Sequence, residues 1–163
     1  MSIATTISLA DAQAVLYREC DLLDADDFDA WLALYTDDAI YHIPGDDPAA
    51  DPRAASSICY DDRARMGERV LRLKSGTAYA QVPPSRTVRF YANVQLAGTD
   101  PDTGETIVRS RLIIEEARLS KRRTVAARCE HRLRTEGDAL KIARKTLLLV
   151  DAPFPYNNLT FIL

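Results

Sequence analysis

The stretch LLDADDFDAWLALYTDDAIYHIPGDD, residues 22–47, gathers the side chains from which acid–base chemistry is built. Six carboxylates, Asp24, Asp26, Asp27, Asp29, Asp37 and Asp38, stand close in sequence to Trp31, Tyr35, Tyr41 and His42. A histidine oriented by a carboxylate can act as a general base, and a tyrosine can supply a second proton. On that reading Tyr35, Asp38 and His42, with the chain's other histidine, His131, are candidates for the pocket of a dehydratase or isomerase. A plainer account uses the same residues. Asp26 and Asp27 precede a helical pattern, where a carboxylate caps free amides and meets the positive end of the helix dipole. The triplet Thr36-Asp37-Asp38 suits a turn between helix and strand. His42 and His131 each alternate with apolar residues, as hydrogen-bonded core histidines do. On the residues alone the plainer account is favoured.

Metal chemistry finds less support. Structural zinc needs four Cys or His ligands at short spacings, and Cys20, Cys59 and Cys129 have no such partners. A Rieske cluster needs two cysteines and two histidines in short pairs. His42 and His131 are the only histidines, and neither lies within two residues of a cysteine. A mononuclear iron site with two histidines and one carboxylate would consume both, and no supporting spacing exists. There is no GxSxG elbow and no glycine-rich phosphate loop.

The elements that would position these residues can be read from periodicity. Ser8 with Asp11 three residues on forms a capping-box-like start. Ala12, Val15, Leu16, Cys20, Leu22 and Leu23 then fall mainly on one helical face. Phe28, Trp31, Leu32 and Tyr35 recur as a second, shorter helix. A strand follows, with Ile40, His42 and Pro44 on one side and Tyr41 and Ile43 on the other. Residues 45–57 are a loop by composition. A short extended piece leads into a third helix that has Asp61 and Asp62 at its start, Met66, Val70 and Leu73 on one face and Gly76 past its end. Residues 78–87 form a break around two prolines. From Thr87 onward the pattern is strands. TVAARCEHRLR alternates, with Val125, Ala127, Cys129, His131 and Leu133 on one face, and a turn at EGD leads to a partner strand. The order predicts an α+β protein, with helices packed on one face of a strongly curved, mainly antiparallel sheet.

A chain of 163 residues is expected to form one domain, residues 1–163. The net charge of −3 gives no electrostatic case for nucleic-acid binding. No apolar run approaches the roughly 20 residues that span a bilayer. The N-terminus lacks the basic start and apolar core of a secretory signal. Three widely spaced cysteines fit reduced thiols in the cytoplasm. Charge is uneven: the first third is rich in Asp, and the chain from Arg86 is rich in Arg. Solvated sheet faces account for such runs, and so does an oligomer interface, where arginine is favoured.

Four segments carry a family resemblance: Leu22–Asp38, DDRARMGERVLRLKSG (Asp61–Gly76), PPSRT (Pro83–Thr87) and KIARKTLLL (Lys141–Leu149). With them the chain from about Leu9 to Leu163 resembles the β (small) subunit of bacterial aromatic-ring-hydroxylating dioxygenases. The resemblance implies a nuclear transport factor 2-like, scytalone-dehydratase-like cone. It implies a hexamer of three α and three β subunits, in which the α subunit carries the Rieske [2Fe-2S] cluster, the mononuclear iron and the substrate pocket. Electrons would come from NAD(P)H through a separate reductase. The β subunit would be a structural trimer without catalytic, cofactor or metal residues of its own, and Pro83, Pro84, Ser85, Arg86 and Thr87 are candidates for an interface. Many relatives carry Trp where this chain has His42. The rivals are a stand-alone cone-fold dehydratase or isomerase using His42 or His131, and a small-ligand-binding module.

Overall fold

The computed structural model describes residues 6–45, 47, 49–76, 82–151 and 161–163. Helix α1, Leu9–Asp24, opens on a capping box: Ser8 Oγ accepts from the Asp11 amide at 3.1 Å and Asp11 Oδ2 accepts from the Ser8 amide at 2.9 Å. Its apolar stripe buries Ala12, Leu16, Cys20, Leu22 and Leu23. Asp27 caps α2, Phe28–Ala33, by accepting from the Ala30 amide. Strands β1 (Tyr35–Pro44) and β2 (Ser57–Asp62) follow, then α3, Arg63–Lys74, capped by Asp62. Gly76, at φ +65°, lies just past the end of α3, in a conformation that favours glycine. Four long strands complete the described elements: β3 (Arg86–Thr99), β4 (Thr106–Arg118), β5 (Lys121–Glu136) and β6 (Ala139–Leu149).

Among the described residues the strands form one six-stranded sheet in the order β2-β1-β6-β5-β4-β3. Only the β1–β6 pairing is parallel. Register shifts interrupt β3 between Ala92 and Gln95 and again between Leu96 and Gly98. Such bulges bend and twist a long ladder, so the sheet curves and its concave side receives the helices. Alternation assigns the two sides. In β5 the side chains of Val125, Ala127, Cys129, His131 and Leu133 are all buried, and the intervening residues are half-buried or exposed. The expected hairpin turn falls at Gly137, with φ +61°.

Two expectations change. Tyr35 is not the last residue of the second helix; it begins β1. The amide of Ile142 in β6 donates to the carbonyl of Leu34, so sheet pairing captures the chain one residue before Tyr35 and ends the helix at Ala33. Thr36-Asp37-Asp38 is likewise not a turn. It lies within β1 as an irregularity between Tyr35 and Ile40, with Thr36 buried and both aspartates exposed. The break expected at residues 78–87 lies outside the described residues over 78–81. No helix among the described residues is long and apolar enough to cross a membrane.

Trp31 locks the helix layer to the sheet. It is fully buried and meets Tyr35 edge-on at 5.2 Å and Tyr41 at 6.3 Å between ring centroids. Emptying such a site costs about 3–5 kcal/mol, a large part of a domain stability of roughly 5–15 kcal/mol. Trp31→Ala is expected to lower the unfolding free energy by that amount in urea titrations. A loss under 1 kcal/mol would show that the site collapses freely and that Trp31 is no lock.

Candidate functional site

The concave interior holds a buried polar cluster centred on Glu19, a charged residue on the otherwise apolar stripe of α1. Its side chain is 1% exposed. One carboxylate oxygen accepts from Tyr35 Oη (2.6 Å), Lys145 Nζ (3.0 Å) and Trp31 Nε1 (3.2 Å). The other accepts from Tyr91 Oη (2.9 Å) and lies 3.3 Å from His131 Nε2. A carboxylate can only accept, so Nε2 of His131 carries the proton. Lys145, also 1% exposed, donates to the carbonyl of Leu163 at 2.8 Å as well, and Tyr41 Oη donates to the same oxygen at 2.8 Å. Ile162 and Leu163 are buried in this interior, and Arg89 donates to the Ile162 carbonyl.

These contacts decide what the cluster can do chemically. Burial pushes the Glu19 pKa up, but Lys145, His131 and Tyr35 together outweigh it and hold the carboxyl well below its usual range. A carboxylate with five donors and a depressed pKa is a poor proton acceptor. Burial, assisted by the Glu19 charge, pushes the Tyr35 and Tyr91 phenols well above their ordinary pKa, so both stay protonated as donors. Burial lowers the His131 pKa, and the neighbouring Glu19 does not restore it. The group is a buried ionic core in which the Glu19 carboxylate is saturated with donors and Nδ1 of His131 has no hydrogen-bond partner among the described residues.

The residues expected to act together do not converge. Tyr41 points into the interior, so His42 faces the other, convex side of the sheet, where it pairs in register with Thr146 and Tyr60. It is 1% exposed, its Nε2 lies 3.1 Å from Ser57 Oγ, and its ring meets Tyr60 edge-on. Burial and the Arg144 charge lower its pKa. His42 and His131 therefore lie on opposite faces of one sheet and cannot ligate one metal or share one substrate. Asp38 is exposed and ion-paired with Arg134, whose hydrogen bonds hold its pKa at about 2. Tyr35 alone of the β1 candidates enters the Glu19 cluster. Among the described residues no three His, Cys, Asp or Glu side chains gather as a metal would require.

The PPSRT segment is anchored from below. Thr87 Oγ1 and the Arg89 amide both donate to Asp24, each at 2.9 Å. Arg118 Nε donates to the Pro83 carbonyl, and Ser85 Oγ to Glu116, which also pairs with Arg123. Pro83, Pro84 and Arg86 remain exposed. A cavity of about 280 Å³ lies beside this segment, between Leu23, Phe28, Pro84, Thr87, Arg89 and Phe161.

A curved sheet closed by helices over a filled polar interior defines a cone of the nuclear transport factor 2-like class. An NTF2-like protein with a cystatin-like fold from Novosphingobium aromaticivorans superposes with a TM-score of 0.57 at 14% identity, covering 85% of this chain and 79% of its own. Residues 18–155 match the model of the ring hydroxylating beta subunit family, and the chain belongs to that family. It is 31% identical to the small oxygenase component of the p-cumate 2,3-dioxygenase system of Pseudomonas putida, over 98% of this chain and 89% of that protein. It is 32% identical to the anthranilate 1,2-dioxygenase small subunit of Acinetobacter baylyi, over 83% and 85%. The crystal structure of the benzoate 1,2-dioxygenase β subunit of Burkholderia mallei superposes with a TM-score of 0.77 at 32% identity, covering 97% and 99%. The chain is thus a β-subunit homologue of multicomponent aromatic-ring-hydroxylating dioxygenases.

Two measurable consequences follow from the interior cluster. Removing one member of a buried ion pair strands the other, at a cost of roughly 3–5 kcal/mol, whereas replacing both by apolar residues costs far less. Glu19→Gln is expected to destabilise by that amount in urea, and Glu19→Leu combined with Lys145→Leu by clearly less. Additive losses in the double variant would refute the pairing. The second consequence is acid sensitivity. His42 and His131 have folded pKa values below their unfolded ones, so their contribution is complete above about 6.5 and is lost as pH falls toward the folded values. Glu19, also depressed, contributes above about 4.5 and loses that contribution further down. The melting temperature is expected to drop in two stages on acidification, and a flat profile from pH 7 to pH 5.5 would contradict the histidine placement.

Proposed function

We propose that this chain is the non-catalytic, structural β subunit of an aromatic-ring-hydroxylating oxygenase. In this reading it forms a trimer within an α3β3 hexamer in the cytoplasm. The large subunit carries the Rieske cluster and the mononuclear iron, and a separate reductase delivers electrons from NAD(P)H. The observation that carries the reading is the separation of the two histidines on opposite sheet faces, with the interior acid already saturated by donors. No metal-ligand set gathers on either face among the described residues, and the unpartnered Nδ1 atoms of His42 and His131 are both buried. The donor set agrees with cofactors housed elsewhere: its three cysteines, Cys20, Cys59 and Cys129, are free thiols, and burial pushes each up to about 12. The relatives' substrates, p-cumate, anthranilate and benzoate, are aromatic carboxylates, and substrate choice is assigned to the large subunit. The exposed Pro83, Pro84 and Arg86, held by anchored neighbours, are assigned to subunit contact.

Co-expression with the cognate large subunit tests the proposal. His42→Ala and Asp38→Asn are expected to leave turnover per assembled hexamer within a few-fold of wild type. Loss of a general acid or base costs roughly 10²- to 10⁴-fold, so the outcomes are well separated. Abolished turnover in His42→Ala, at unchanged melting temperature and subunit stoichiometry, would establish His42 as catalytic and end the scaffold reading.

A further inference from the structure

The convex face of β4, β5 and β6 bears a groove of about 540 Å³ lined largely by arginine. The sheet register places Arg111 directly opposite Arg128 and Arg132 directly opposite Arg144. Like charges facing each other across a ladder are destabilising, and two such pairs on one face need negative charge from elsewhere. Among the described residues it comes from two acids: Asp100 pairs with Arg132 at 2.5 Å, and Glu130, within the groove, lies 3.3 Å from Arg109 and 3.9 Å from Arg132. Among the described residues Arg111 donates to the Ser110 carbonyl and Arg144 to Thr146 Oγ1. Arg111, Arg128 and Arg144 have no acidic partner among the described residues. Toward β3 the same face exposes apolar side chains, with Phe90 54% and Ile113 44% exposed. Arginine beside exposed aromatic and aliphatic groups is the composition of a protein interface, more than of a site for a small anion.

The complementary charge is on the same chain. Residues 21–62 contain twelve Asp and one Arg, with no Lys or Glu, whereas residues 86–148 contain fourteen Lys and Arg against eight Asp and Glu. Asp21, Asp26 and Asp37 are exposed and have no ion pair among the described residues. We propose that the convex arginine face binds the aspartate-rich surface of a second copy of this chain. Two copies cannot meet arginine face to arginine face, because a two-fold contact would set like charges against each other. The contact is therefore heterologous, head to tail, and such contacts close into rings. This inference rests on the trimer reading above and supplies its contact surface.

Sedimentation equilibrium of the purified chain is the test, using wild type, Arg128→Glu/Arg144→Glu and the milder Arg128→Gln/Arg144→Gln. Wild type is expected to be trimeric, with self-association weakening at least tenfold between 0.05 and 0.5 M NaCl, since exposed charge pairs are screened. The Glu variant is expected to be monomeric and the Gln variant at least tenfold weaker than wild type, with circular dichroism unchanged. If the Glu variant fails to fold, the Gln variant gives the answer. A salt-insensitive trimer that persists in the Gln variant would overturn the surface assignment and leave the trimer reading standing. A monomeric wild type would overturn both. Variants that keep the trimer but no longer bind the large subunit would overturn the proposal and give the groove to that subunit.

Discussion

The Glu19–Lys145 ion pair is the constraint around which the rest of the interior is arranged. Two full charges sit at 1% exposure, where each costs several kcal/mol to desolvate unless every lone pair and proton is matched. The surroundings supply most of that match. Tyr35, Tyr91, Trp31 and His131 surround the Glu19 carboxylate, and the Leu163 carbonyl accepts from Lys145, whose ammonium also faces the Tyr41 and Tyr91 rings. With the ion pair itself, these groups come from α1, α2, four strands and residue 163. The cluster therefore ties together elements that share no backbone hydrogen bonds, notably α1 with β6. Satisfying so many donors at one carboxylate also fixes its position, so the docking of α1 on the sheet and the lowered pKa of Glu19 have one cause.

A second constraint arises at the sheet edge. β3 is a terminal strand, and an edge with open amides invites pairing with other chains. Asp24, at the end of α1, accepts from the Arg89 amide and from Thr87, and it faces the buried Arg89 guanidinium. One carboxylate thus blunts part of the edge, anchors the PPSRT segment and neutralises an arginine that reaches the Ile162 carbonyl. The aspartate-rich stretch is in this sense functional, through capping and anchoring. Asp27 caps α2, Asp24 holds β3, and Asp38 pairs with Arg134.

Much of this was legible in the sequence, and the misses have physical reasons. The capping box at Ser8, the alternation of β5, the order of helices before strands and the opposite facing of Tyr41 and His42 follow from local patterns that the structure keeps. The extent of α2 did not follow, because Tyr35 fits the helical period and only pairing with β6 withdraws it. Glu19 and Lys145 were missed although each left a trace. Glu19 interrupts the stripe of Leu16, Cys20 and Leu23, and Lys145 interrupts that of Leu147 and Leu149. A charge on an apolar stripe reads as an error of pattern until its opposite is found on another element 126 residues away. The separation of His42 from His131 was hidden because each alternates with apolar neighbours, whichever face it occupies.

The position of Lys145 depends on a single irregularity. Leu133 of β5 faces Ile142 of β6, both buried, while His131 faces Lys145, so β6 spends three residues where β5 spends two. The extra residue shifts the alternation by one, and Ile142 and Ala143 are buried in succession. Without that shift, continuing from Ile142, Arg144, Thr146 and Leu148 would point inward, and Lys145 would join the convex face. Glu19 would then be a stranded charge, and the convex face would exchange an arginine for a lysine. The bulge thus sets both faces together. It delivers the cation that Glu19 requires, and it leaves Arg144, which has no acidic partner among the described residues, opposite Arg132 on the convex side. Because a one-residue slip inverts every side chain, the ionic core and the basic outer surface cannot be specified separately.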